Sequence, residues 1–456
     1  MRWHAQSAHL RDGLARNVLI EADGGRFTAI RCGVAAAEVA EAVRLPGVVL
    51  PGFANTHSHA FHRGLRGRTH AGSGTFWTWR TAMYALAGRL DPDTYLALAR
   101  ATYAEMALAG ITAVGEFHYL HHQRDGRPYD DPNEMAHALT QAAHEAGIRL
   151  TLLDACYLTG GLDGGDVLAG DSGRHLPLGE QQRRFGDRTV KLWAERVRAL
   201  RDHTDGGPGH LRVGVAAHSV RAVPAGALPM VAEVSADRGD APLHIHLSEQ
   251  AAENDACQAR YGMSPTQLLE GRGVLTSRLT AVHATHLSDV DLQLFGLAGA
   301  TAVFCPTTER DLADGIGPAR ALQDAGATLA LGSDQHAVID MFEEMRGLEM
   351  HERLQSGHRG RLGPVALLAA ATRHTSIGWP DAGAIALGQR ADLVAVRDDS
   401  VRTTGSDPAQ IVMSATAADV ATVVVDGHTV VTGGRHRLGD VGALLRDALH
   451  PLIGDD

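Results

Sequence analysis

Short, almost continuously apolar runs alternate with longer segments of mixed polarity from residue 48 to residue 334. Eight runs carry the signal: 48–54, 111–117, 149–157, 212–218, 242–247, 279–283, 301–306 and 327–331. Several lack strict alternation, as expected of strands covered on both faces. The segments between them carry helix punctuation. Asp91 stands at an N-cap position, Pro92 at the first helical position and Gly110 at the end. Segments 132–147 and 265–271 repeat the scheme. Strand–helix alternation repeated eight times predicts an α/β fold, a parallel (β/α)8 barrel of the TIM type.

The flanks differ. Residues 1–47 and 383–436 show short alternating stretches broken by glycine, among them 392–396 and 421–431 with the turn Asp426-Gly427. They predict a small β-sandwich formed by both termini, 1–47 and 383–456, around a barrel of 48–382. Segment 160–186, rich in Gly, Asp and Arg, reads as a long loop and a candidate lid.

Composition narrows the function classes. The 456 residues hold 42 Lys+Arg and 53 Asp+Glu, a net charge of −11, which argues against nucleic acid or an anionic membrane as the main partner. No apolar run reaches the roughly 20 residues of a membrane helix, and residues 1–10 carry no apolar stretch of the secretory kind. Cys32, Cys156, Cys257 and Cys305 are widely spaced, so reduced thiols and a cytoplasmic location are expected.

In a barrel of this kind the site forms at the C-terminal ends of the strands. The first strand runs into Asn55-Thr56-His57-Ser58-His59, where residues two apart face one way, so His57 and His59 can share a metal. The fifth ends in His244-Ile245-His246-Leu247-Ser248-Glu249, the sixth in His283-Ala284-Thr285-His286, the eighth in Gly332-Ser333-Asp334. Among 26 histidines an HxH pair is weak evidence alone. Four strand ends that each offer a ligand-type residue are strong evidence. Three imidazoles and a carboxylate suit Zn²⁺ with an open position; the same donors also take Fe²⁺ or Mn²⁺.

This pattern resembles the amidohydrolase superfamily, in its single-metal deaminase branch. The matching stretches are 51–59 (PGFANTHSH), 246–249 (HLSE), His283, Asp334, 388–394 (GQRADLV) and 425–427 (VDG), spread over nearly the whole chain. The resemblance implies one zinc per chain held by His57, His59, His246 and Asp334. Binuclear relatives use a lysine on strand four; the sole lysine, Lys191, precedes that strand. His246 is preferred to His244 because it stands three residues before Glu249. Residue chemistry then assigns catalytic roles: Asp334 takes a proton from water, His283 orients or polarises that water, and Glu249 protonates the leaving nitrogen.

Segments 76–80 (FWTWR), 116–122 (EFHYLHH), 128–135 (PYDDPNEM) and 217–221 (AHSVR) resemble the members that release ammonia from a linear amidine, N-formimidoyl-L-glutamate, in histidine degradation. The implied partner is a small dicarboxylate, met by Arg80, Tyr119, His218 and Arg221, with His218 and Arg221 the firmest, in a homodimer. His62 stands where some relatives place a substrate-contacting glutamine. Two alternatives stay open: a deaminase of a nucleobase-like ring such as guanine, and a non-catalytic zinc-binding barrel.

Overall fold

The computed structural model describes residues 1–453 apart from 72–73, 166–172, 205–208, 238 and 240. Eight strands form one parallel sheet: Phe53–Ser58, Ile111–His118, Arg149–Cys156, Leu211–Ala217, Leu243–Leu247, Leu279–His283, Thr301–Phe304 and Thr328–Leu331. The sheet curls into a barrel. The last strand meets the first through the bridge Ser58↔Asp334 and the bonds from Ser333 N and Asp334 N to His57 O, 3.1 and 3.0 Å. Gly332 permits this seam, because a Cβ there would lie 2.8 Å from the oxygen and Cβ of His57. Most barrel strands are buried end to end, which is why their sequences read as unbroken apolar runs.

Both termini build the second sheet. Its strands follow the order 435–436, 428–432, 420–425, 393–396, 43–51, 2–10, 13–23 and 26–31, hydrogen-bonded as one continuous eight-stranded layer. Its strands use the period of two. Leu393 and Ala395 enter a core with Trp3, Ile20 and Phe27, whereas Val394 and Val396 join the barrel's core.

Two elements depart from the sequence expectation. The run 48–54 is two strands, not one. Val43–Pro51 pairs with Arg2–Leu10 and Leu393–Val396, and only Phe53–Ser58 enters the barrel. The chain changes sheets at Gly52, where a Cβ would meet Thr112 Oγ1 at 2.4 Å. The chain is buried on both sides of the break, from Val48 to Ser58, so no exposed polar residue marks it. At the other end, the span 383–456 expected to be β-sandwich closes with a helix, Val441–Ile453. Its Val441, Leu445, Ala448 and Leu452 join the barrel's core, and Arg89 donates to Leu452 O at 2.6 Å.

The helix expected to follow Asp91 runs Pro92–Leu108, with Thr94 N donating to Asp91 at 2.9 Å. Segment 160–186 holds a hairpin, Gly161–Asp163 with Arg174–Leu176, and the turn Glu180–Phe185; residues 166–172 of this candidate lid lie outside the described residues. Lys191 lies in the helix Val190–Thr204. All four cysteines are free. Among the described residues no helix is long and apolar enough to cross a membrane.

Candidate active site

Strand ends at the barrel's mouth bring the expected donors together. His59 Nε2 lies 3.3 Å from His246 Nε2, which lies 3.2 Å from His57 Nε2. Asp334 Oδ1 is 3.3 Å from His57 Nε2 and 3.5 Å from His59 Nε2. All four side chains are buried. Their outer hydrogen bonds fix the tautomers. His59 Nδ1 donates to Phe117 O and His246 Nδ1 to His218 O, both at 2.9 Å. The Nε2 atoms of these two rings therefore face each other as lone pairs. Two lone pairs at 3.3 Å repel unless a cation lies between them, so this donor set fits a metal ion. Burial lowers the pKa of all three rings, that of His59 to about 3, which keeps them neutral as ligands.

Around the cage the backbone is held in uncommon conformations. Ser248 (φ 50°), His283 (71°), Ala284 (48°), Asp334 (43°) and His336 (59°) are all left-handed without being glycine. Such residues cost about 1–3 kcal/mol each and persist where the surroundings over-determine them. Here they end three strands abruptly and turn Glu249, His283 and Asp334 toward one point.

His283 Nε2 lies 3.7 Å from Glu249 Oε1 and 3.9 Å from Asp334 Oδ2, and its Nδ1 lies 3.5 Å from Glu309 Oε1. Burial opposes charge on this ring, but Glu249, Glu309 and Asp334 outweigh it and hold its pKa at about 10. Burial likewise pushes the Glu249 carboxyl up, against the pull of His283 and Arg221. Asp334 is held well below the carboxylate range: burial works against ionisation, but His57 and His283 prevail.

The cage opens into a cavity of about 200 Å³ lined by His59, Arg80, Tyr119, His218, Arg221, His246, Glu249, His283 and Asp334, among others. The structure thus brings every expected site residue to one place, with His57 directly behind the lining. The two arginines differ. Arg221 is held by Glu253 at 2.6 Å and approaches Glu249 at 3.6 Å. Arg80 has no carboxylate partner among the described residues. It donates to Tyr84 Oη at 2.5 Å and Gly160 O at 3.4 Å, and stacks on Trp77. His62 bonds Tyr119 Oη at 2.9 Å and packs beside His59. His244 sits deeper, bonded to Ser376 O.

Sequence reasoning missed Glu309, Glu253, the wall residues Tyr84 and Tyr157, and Gln182 behind them. Glu253 had a signal: it stands one helical turn after Glu249 at the head of Ala251–Tyr261. A second buried group, His118, His121 and Asp154, also lies within metal-binding distance. Its carboxylate is already claimed, with Arg196 on both oxygens and Trp193 Nε1 on one. A guanidinium there replaces a metal.

The chain is similar to known proteins along nearly its whole length. A model of the amidohydrolase family matches residues 48–430. Formimidoylglutamate deiminase of Pseudomonas aeruginosa is 36% identical over 95% of this chain and 95% of its own. 8-Oxoguanine deaminase of the same organism is 30% identical over 87% and 85%. The crystal structure of an amidohydrolase from Brucella melitensis superposes with a TM-score of 0.90 and 34% identity, covering 99% of this chain and 100% of that one.

Proposed function

The chain belongs to the amidohydrolase family, and from that premise we propose that it hydrolyses N-formimidoyl-L-glutamate to N-formyl-L-glutamate and ammonia. It is a hydrolase of a C–N bond: water adds to the amidine carbon, the C–N bond to the terminal nitrogen breaks, and that nitrogen leaves as ammonia. The observation that carries the substrate is Arg80, a guanidinium on the cavity wall without a carboxylate partner among the described residues. A substrate carboxylate supplies the missing charge, and we assign the second carboxylate to Arg221. The cavity's size agrees, since about 200 Å³ lies below the roughly 300–1,000 Å³ of sites for drug-sized ligands.

We assign the metal to His57, His59, His246 and Asp334 and propose zinc, which three imidazoles and one carboxylate suit. When bound, such an ion lowers the pKa of water from about 15.7 to about 7 and polarises the group under attack. Asp334, held ionised, accepts the water's proton at Oδ2. His283, charged and steadied by Glu309, donates from Nε2 toward the oxygen that gains negative charge. Glu249 carries its proton to the departing nitrogen. Tyr119, braced by His62, and His218 border the reacting end, while Arg80 and Arg221 face the carboxylates.

The aromatic rings of Trp79, Tyr119 and Tyr157 also suit a planar ring, and one relative is an 8-oxoguanine deaminase. A neutral ring leaves Arg80 without a counter-charge, which favours the acyclic substrate. The deciding experiment is ammonia release from N-formimidoyl-L-glutamate and from guanine by metal-quantified protein. Release from the first alone, with about one zinc per chain, is expected. Turnover of guanine alone discards the substrate; bound metal with no turnover of either supports a non-catalytic barrel. A cytoplasmic homodimer belongs to the same reading, with a scattering mass of twice 48.3 kDa expected.

The arginines should separate kinetically. Arg80→Ala is expected to raise KM by about 10- to 100-fold, one charged hydrogen-bonded contact, with kcat nearly unchanged. Arg221→Ala should raise KM and also lower kcat, because it strips Glu249 and Glu253 of their cation. Steady-state kinetics of both variants checks this; identical behaviour would refute the division.

A further inference from the structure

Behind the cavity wall that carries Arg80 lies one amide. Gln182 is buried, does not line the cavity, and comes from the turn Glu180–Phe185 of the long loop. Its Oε1 accepts from Gly179 N at 2.9 Å. That bond fixes which end of the amide is oxygen, so its nitrogen faces the wall. Nε2 reaches Tyr157 Oη at 2.9 Å, Gly160 O at 2.9 Å and Tyr84 Oη at 3.1 Å.

The consequence is a matter of hydrogen-bond polarity. The two hydrogens of Gln182 Nε2 go to its two nearest acceptors, Gly160 O and Tyr157 Oη, while Tyr84 Oη receives Arg80 Nε. Tyr84 and Tyr157 also hydrogen-bond each other, which takes one of their two O–H groups. Each phenol oxygen is thus engaged as an acceptor, and one O–H of the pair is left to offer. Both phenols line the cavity beside Arg80. A wall of one hydroxyl donor and a guanidinium is matched by an anion with several lone pairs.

We infer that Gln182 is a positioning residue that makes this wall a donor-only subsite for one carboxylate of the substrate, with Arg80 and the free O–H of the Tyr84–Tyr157 pair as the contacting groups. This rests on the dicarboxylate reading of the cavity and deepens it. Burial pushes the Tyr84 phenol up, so its O–H persists at neutral pH. Gln182 acts without touching substrate. It holds Tyr157 Oη as an acceptor and so keeps the free O–H of the phenol pair for the cavity, which discriminates against substrates that lack a carboxylate at that end.

Gln182→Glu tests this, because a carboxylate there accepts from the phenol pair and draws its free O–H away from the cavity. Kinetics are compared on N-formimidoyl-L-glutamate and on two mono-carboxylate analogues, N-formimidoyl-4-aminobutyrate and N-formimidoyl-L-2-aminobutyrate. For the dicarboxylate, KM is expected to rise about 10- to 100-fold, the worth of hydrogen bonds to a charged group, with kcat little changed. The penalty should vanish for whichever analogue lacks the carboxylate seated there. Equal penalties on all three substrates, an unchanged KM, or a fall in kcat alone would overturn the inference. If Gln182→Glu fails to fold, Tyr157→Phe removes one hydroxyl donor and is expected to show the same substrate pattern. If the wild type turns over none of these compounds, the functional reading fails. Binding of glutarate, followed by calorimetry on wild type and Gln182→Glu, then decides the subsite: weaker binding to the variant supports it, and equal binding overturns it.

Discussion

Replacing Glu249 by glutamine is expected to lower kcat by about 10²- to 10⁴-fold, the usual contribution of a general acid–base group, while the protein keeps its metal. Glu249 follows the strand Leu243–Leu247, and the left-handed turn at Ser248 carries it to the cavity. It is not among the four cage donors, so its loss leaves the ion's ligands in place. Glutamine has nearly the same shape and still donates hydrogen bonds, but it has no proton to release. Burial raises the Glu249 carboxyl's pKa, so the proton it must deliver is retained nearer neutrality than in an exposed glutamate. Wild-type kcat should therefore fall as pH rises through that raised value. The residual rate of Glu249→Gln should lack this alkaline limb. Metal analysis and a pH–rate profile of both proteins check the claim. A full rate in the variant would reject the proton role.

The gathering of these side chains at the strand ends was legible in the sequence because two simple periodicities specify it. His57 and His59 face together because a strand repeats every two residues, and His246, His283 and Asp334 join them because each ends a barrel strand. What escaped reading enters from segments without a period. Gln182 comes from a turn in a long loop and Glu309 from the short helix Pro306–Asp311. Neither position differs in pattern from a solvated polar residue; only the fold shows their burial. The fate of Arg221 was hidden for the same reason, since its partner Glu253 is a matter of packing between two elements. The helix Val441–Ile453 was within reach. Its buried positions 441, 445, 448 and 452 repeat at helical spacing, and the β-rich pattern just before it masked the change of period.

Arg149→Met is expected to destabilise the fold by about 3–5 kcal/mol, the usual cost of leaving one partner of a buried ion pair alone. Arg149 sits on a barrel strand and Asp392 beside the terminal sheet's strand Leu393–Val396; their side chains are 0% and 2% exposed. Arg149 Nη1 donates to Asp392 Oδ1 at 2.9 Å and to Asp426 Oδ1 at 3.0 Å, and Nη2 binds Asp392 Oδ2. Asp392 also accepts from Asp426 N at 3.0 Å and Thr112 Oγ1 at 3.3 Å. The motif 388–394 thus has a physical reason: its aspartate joins the two sheets at the end of the barrel away from the chemistry. Methionine would leave that carboxylate buried without its main cation. Burial opposes ionisation of Asp392, but Arg149 outweighs it and holds the group low. Its stabilising part is present above the ordinary aspartate value of about 4 and is lost as pH falls through the lowered one. The gap between wild type and Arg149→Met should therefore narrow in acid. Urea midpoints at pH 7 and in acid measure both effects. The double variant Arg149→Met/Asp392→Leu should lose less than the sum of the single variants, since it removes both charges. Additive losses, or a single-variant loss below about 1 kcal/mol, would show that other contacts join the two sheets.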